Sequence, residues 1–140
     1  MSDRFFLDTN IFVYSFDKSA APKARRATEL IRQALTTQKG TISYQVVQEF
    51  FNVALRKFSQ PMTAADAEQY LGAVFRPLLS VHSSPALFSE ALLLQAKSRL
   101  SWYDSLIVSA AIEARCDLLY SEDLQHGQRF RNLQIANPFL

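Results

Sequence analysis

The chain has 140 residues, 49% apolar and 20% charged, the composition of one folded domain with a real core rather than of a disordered chain. Fifteen Lys and Arg stand against 13 Asp and Glu; the net charge of +2 excludes a protein that coats nucleic acid by charge alone, but not an enzyme that acts on it. A single cysteine, Cys116, excludes an internal disulfide and fits a reducing compartment, and with only His82 and His126 beside it the chain is poor in soft zinc ligands.

Phe5-Phe6-Leu7 is a short apolar run stopped by Asp8, the pattern of a buried strand. Ala27, Leu30, Ile31, Ala34 and Leu35 recur at helical spacing, which predicts a helix from Pro22 to about Gln38, ended by Gly40. Thr41–Tyr44 reads as a second strand. Gln45 to about Phe58 reads as a helix that Pro61 stops. Thr63 and Asp66 match a capping box for a helix to about Phe75, with Pro77 closing it. Leu78–His82 reads as a third strand. Ser84 and Pro85 start a helix through about Arg99, and another covers Trp102 to about Arg115. Asp117–Ser121 is a fourth strand and Leu133–Ile135 a fifth. Strands alternating with helices of this length predict an α/β fold with a mostly parallel sheet, in a single domain over residues 1–140. No apolar run approaches the roughly 18 residues needed to span a bilayer, and Met1-Ser2-Asp3-Arg4 does not open a signal peptide. A cytoplasmic protein is expected, with no membrane partner.

In parallel α/β sheets, sites form beyond the carboxyl ends of the strands. Four acids fall in places that can reach that rim. Asp8 directly follows the first strand, and Asp123 follows the fourth; each also suits a helix cap or turn. Asp104 lies in the capping box Ser101-Trp102-Tyr103-Asp104, yet it also heads the stripe of Ile107, Val108 and Ala111 on its own helix. Glu49 borders the apolar arc of Val46, Phe50 and Val53, where an ordinary surface glutamate could equally sit. Glu122 is a weaker candidate beside Asp123. Converging carboxylates repel: at about 5 Å and an effective dielectric near 20, each pair costs roughly 3 kcal/mol. Such a cluster is tolerated when a cation sits among the acids, and oxygen-only ligands favour Mg²⁺ or Mn²⁺ over zinc. The implied chemistry is phosphodiester hydrolysis. Lys18, Lys23, Arg25 and Arg26, with Arg99 further on, could grip phosphate beside the acids or simply form solvated helix faces.

Asp8-Thr9-Asn10 after an N-terminal strand, Glu49 on the helix after the second strand, Asp104 opening an apolar helix, and Ser121-Glu122-Asp123 after a late strand together resemble the PIN-domain ribonucleases. The resemblance runs from Arg4 to about Ile135. A free-standing domain of this length is most similar to the VapC toxins of type II toxin–antitoxin pairs. It implies a three-layer α/β/α fold with a five-stranded sheet, Mg²⁺- or Mn²⁺-dependent endoribonuclease activity on RNA, homodimerisation, and inhibition by a small antitoxin. Carried over, Asp8, Glu49, Asp104 and Asp123 are the metal-binding, catalytic acids. Asn10 would brace Asp8, and Ser121 stands where threonine is more usual. The alternative is a catalytically silent PIN-like module that binds RNA or protein. A phosphate-transfer fold of the receiver or haloacid-dehalogenase type also places Asp after its first strand, but neither needs an acid at Glu49.

Overall fold

The computed structural model describes residues 2–140. Strand β1 (Phe5–Leu7) leads into α1 (Thr9–Tyr14) and α2 (Ala21–Thr37); β2 (Gly40–Ser43) leads directly into α3 (Tyr44–Ala54). Helix α4 (Ala64–Tyr70) continues through a π-helical turn (Leu71–Phe75) into α5 (Arg76–Leu78) and then β3 (Leu79–Val81). The hairpin of α6 (Pro85–Lys97) and α7 (Trp102–Glu113) precedes β4 (Leu118–Tyr120), β5 (Arg129–Phe130) and β6 (Leu133–Ala136).

The strand order is β3-β2-β1-β4-β6-β5, parallel throughout except for the β5–β6 pair. The chain moves outward from β1 to β3, then crosses back to β4. Right-handed crossovers in opposite directions place α1–α5 on one face and α6–α7 on the other, giving three layers. The order reverses between β1 and β4, where a doubly wound sheet opens its crevice. Leu7 lies opposite Tyr120 there, so Asp8 and Ser121 are the first residues beyond the paired ends.

With both faces covered, the strands bury their residues deeply: Phe6, Leu7, Ile42 and Leu119 are sealed from solvent and β2 is buried along its whole length, while β4 and β6 alternate buried with half-buried positions. Side chains of this size contribute about 1.5–3 kcal/mol each when fully buried. An aromatic cluster ties α1, α3 and α4 together; Phe50 stacks on Tyr70 at 5.2 Å, and Phe75 meets Phe12 edge-on at 5.1 Å. Gly40 permits a close helix–strand approach. A Cβ there would stand 2.2 Å from the Cβ of Ala34, so α2 rests directly on β2.

Several expectations change. Gly40 does not end α2; Gln38 caps it in the left-handed region (φ 61°) and Gly40 opens β2. The sheet has six strands rather than five; Arg129–Phe130 is too short for periodicity to declare and is held as a strand by β6. Tyr44 opens α3 instead of closing β2, and α3 ends at Ala54, short of Phe58. Pro77 does not close its helix. It sits in the first turn of α5, just past the π-helical turn, where its missing N–H falls in a break of the regular ladder.

Candidate active site

Asp8 caps α1 from the end of β1. Its backbone N–H donates to the Tyr120 carbonyl at 3.0 Å, which continues the β1–β4 ladder by one step. Its side chain accepts from the Thr9 amide at Oδ1 (2.7 Å) and from the Ser121 hydroxyl at Oδ2 (2.7 Å). The same Ser121 oxygen accepts from the amides of Asp123 (3.2 Å) and Leu124 (3.4 Å). One buried hydroxyl thus fixes both Asp8 and the loop that carries Asp123. Asp8 is only 5% exposed, and burial lifts its carboxyl from 3.8 to about 7. The Ser121 and Thr9 hydrogen bonds oppose that rise; the charges of Glu49 and Asp123 add to it.

Asp104 stands in the first turn of α7, its amide donating to the Ser101 hydroxyl at 3.1 Å. Its carboxyl is also raised, first by burial, then by Asp123 and Glu49. Glu49, half-buried on α3, receives the Thr9 hydroxyl at Oε1 (2.6 Å) and the Gln45 amide at Oε2 (3.2 Å). Asp123 is exposed at the mouth. The charges of Glu49 and Asp123 thus reach both Asp8 and Asp104. Among the described residues, however, no three His, Cys, Asp or Glu side chains stand close enough to grip one ion together.

The donor set suits a hard divalent cation. All four side chains offer carboxylate oxygens, and among the described residues no Lys or Arg pairs with any of them. Asp8, Glu49, Asp104 and Asp123 are the residues that would hold such an ion.

The other expected residues are placed differently. Asn10 does not brace Asp8; among the described residues its buried side-chain amide atoms make no hydrogen bond. Glu122 turns away from the acids and pairs with Lys23 (2.6 Å) and the Tyr14 hydroxyl, which hold its carboxyl low. Lys23 also lies 4.7 Å from the centre of the Tyr14 ring, so its charge serves this internal clasp instead of a free phosphate grip. Arg26 donates to the Pro138 carbonyl at 3.3 Å. Lys18, Arg25 and Arg99 remain exposed, without ion pairs among the described residues. Two residues outside the expected site set join it: Thr9 and Gln45. The i,i+4 spacing of Gln45 and Glu49 on one helix was the signal for the second. A cavity of about 320 Å³ lies at the opposite end of the sheet, by Arg115, Cys116 and Asp117, remote from all four acids.

Comparison with known proteins agrees with this architecture. A toxin–antitoxin complex from Klebsiella pneumoniae superposes with a TM-score of 0.65 at 18% identity, covering 95% of this chain and 96% of that one. VapBC2 from Rickettsia felis, solved on a DNA fragment from its promoter, gives 0.63 at 20% identity, with 95% and 97% covered. VapC20 of Mycobacterium tuberculosis, a sarcin–ricin loop cleaving toxin, gives 0.56 at 17% identity, with 84% and 88% covered. A search of curated proteins found no match to the sequence. These likenesses concern the fold. Independently, the family model of the PIN domain matches residues 5–131, nearly the whole sequence, and the chain belongs to the PIN domain family.

Proposed function

We propose that this protein is a Mg²⁺- or Mn²⁺-dependent endoribonuclease that hydrolyses RNA phosphodiester bonds, and that it acts as the toxin of a type II toxin–antitoxin pair. The observation that carries the reading is Asp8: a carboxylate buried at the switch point of the sheet, lifted to about 7, with three further acids on the same rim and no basic partner. A group in that state gains most from a nearby cation. The chemistry supplied by a bound divalent ion is activation of a water and neutralisation of phosphate charge.

The chain's own part is positional. Ser121 and the Thr9 amide orient Asp8, Ser101 starts the helix that presents Asp104, and the exposed Asp123 faces incoming substrate. Lys18, Arg25 and Arg99 are left for phosphate contacts. The family membership and the toxin complexes among its structural neighbours support an antitoxin partner. Phe88, Leu92 and Leu93, exposed on α6, support a homodimer. No helix among the described residues is long and apolar enough to cross a membrane, and the lone buried Cys116 suits the cytoplasm.

The spread of the acids favours one competing reading, a catalytically silent PIN-like module that binds RNA or protein. Incubation of total RNA with Mg²⁺, Mn²⁺ or chelator separates the two. Cleavage that needs the metal and disappears in Asp8→Asn is expected; equal cleavage by both proteins, or none by the parent, would refute the nuclease reading.

A further inference from the structure

We infer that Thr9 and Gln45 are positioning residues for the proposed metal-dependent cleavage, holding Glu49 between the first strand's end and the start of α7. The inference rests on the nuclease reading above and extends it to two neutral side chains.

Glu49 is tethered at both oxygens. The Thr9 hydroxyl donates to Oε1 at 2.6 Å while the Thr9 amide donates to Asp8 at 2.7 Å, so one residue links two of the acids. On the other side, Gln45 Nε2 donates to Glu49 Oε2 at 3.2 Å and to the Tyr103 carbonyl at 3.1 Å. Both of its partners are acceptors, so the amide nitrogen must face them. Its two hydrogens then serve one partner each. Tyr103 immediately precedes Asp104, and the tether therefore joins Glu49 on α3 to the turn that presents Asp104 on α7.

The path runs unbroken from Ser121 through Asp8, Thr9, Glu49 and Gln45 to Tyr103. It touches every segment that carries one of the four acids, and its neutral members are the hydroxyls and amides between them. Gln45 is 4% exposed, and its Oε1 is buried without a partner. A Leu or Met would fill the same space with no unpaired oxygen, so packing does not explain the glutamine; its two N–H donors do. Neither Thr9 nor Gln45 adds charge. Each restrains a carboxylate that repulsion would otherwise let swing outward, the service that outer residues commonly render to metal ligands.

Calorimetric titration of Mn²⁺ into the parent, Gln45→Met and Thr9→Val tests the assignment, with folding of each checked by thermal melting in chelator. Both variants are expected to melt as cooperatively as the parent yet bind Mn²⁺ about 10–100-fold more weakly. For RNA cleavage, kcat should fall while KM for RNA stays unchanged. Folded variants that bind Mn²⁺ with parental affinity overturn the assignment and leave the nuclease reading standing. A parent that neither binds Mn²⁺ nor cleaves RNA overturns that reading, and the assignment with it. Should Gln45→Met fail to fold, Thr9→Val, nearly isosteric and acting on the other oxygen, decides alone.

Discussion

Replacing Asp8 by Asn should stabilise the metal-free protein, and the gain should depend on pH. The carboxyl of Asp8 is raised from 3.8 to about 7 by burial. Below pH 3.8 it is protonated in both the folded and the unfolded chain and contributes nothing. Between 3.8 and 7 the unfolded chain releases the proton that the folded chain retains, so stability falls as pH rises; above 7 the whole penalty is present. At 1.36 kcal/mol per unit, that penalty is on the order of 4 kcal/mol at pH 8 and about 1–2 kcal/mol at pH 5. Asn removes it at a cost. The Thr9 amide can only donate, so the Asn carbonyl must stay on it and the Asn N–H turns to Ser121, whose hydroxyl gives up its donation and already accepts from the Asp123 and Leu124 amides; the exchange loses about 1–3 kcal/mol. The net gain at pH 8 is thus on the order of 2 kcal/mol, shrinking to nothing or reversing by pH 5. Urea denaturation in chelator at the two pH values measures it. A variant less stable than the parent at pH 8, or a difference that does not move with pH, would refute the argument and return Asp8 to the role of an ordinary helix cap.

Ser121→Ala should cost about 1–3 kcal/mol, because it strips the donor from Asp8 Oδ2 and the acceptor from the Asp123 and Leu124 amides. The loss should be larger at pH 8 than at pH 5, since the Ser121 bond is the main force holding the Asp8 carboxyl down; equal losses at both would count against it. Gly40→Ala drives a methyl into Ala34 and should destabilise by about 1–3 kcal/mol or more, whereas Gly72→Ala, with open space around it, should be neutral or mildly stabilising in the same melt.

Much of the fold was legible because each element carried its own punctuation. Ser84 and Pro85 at the start of α6, Ser101 before α7 and Thr63 before α4 cap those helices as their spacing implied. What escaped depended on partners distant in sequence. A two-residue strand such as Arg129–Phe130 is held by its pairing with β6, and Pro77 sits in a helical turn just past a π-helical one that no local pattern announces. The candidate site divides in the same way. Asp8, Asp104 and Asp123 could be picked out by their positions at strand and helix ends and Glu49 by its place at the border of an apolar arc; in the structure the charges of Glu49 and Asp123 reach Asp8 and Asp104, while no three of the acids gather closely. Their second partners could not. Ser121 and Asp8 lie 113 positions apart in the chain and meet only across the β1–β4 ladder. Asn10 was expected from the family resemblance to support Asp8, yet its buried side chain makes no hydrogen bond among the described residues. Lys23 and Glu122, read separately as a phosphate grip and a spare ligand, satisfy each other across 99 positions.

The central claim is that the rim of acids around Asp8 takes up a hard divalent ion. Calorimetric titration of Mn²⁺ at pH 7, in buffers of different ionisation enthalpy, tests it most directly. Binding should displace the proton that the raised carboxyl of Asp8 retains in part of the molecules at that pH, so protons should be released as the ion binds. Asp8→Asn should lose the binding. No heat at millimolar Mn²⁺, or undiminished binding by Asp8→Asn, would contradict the account.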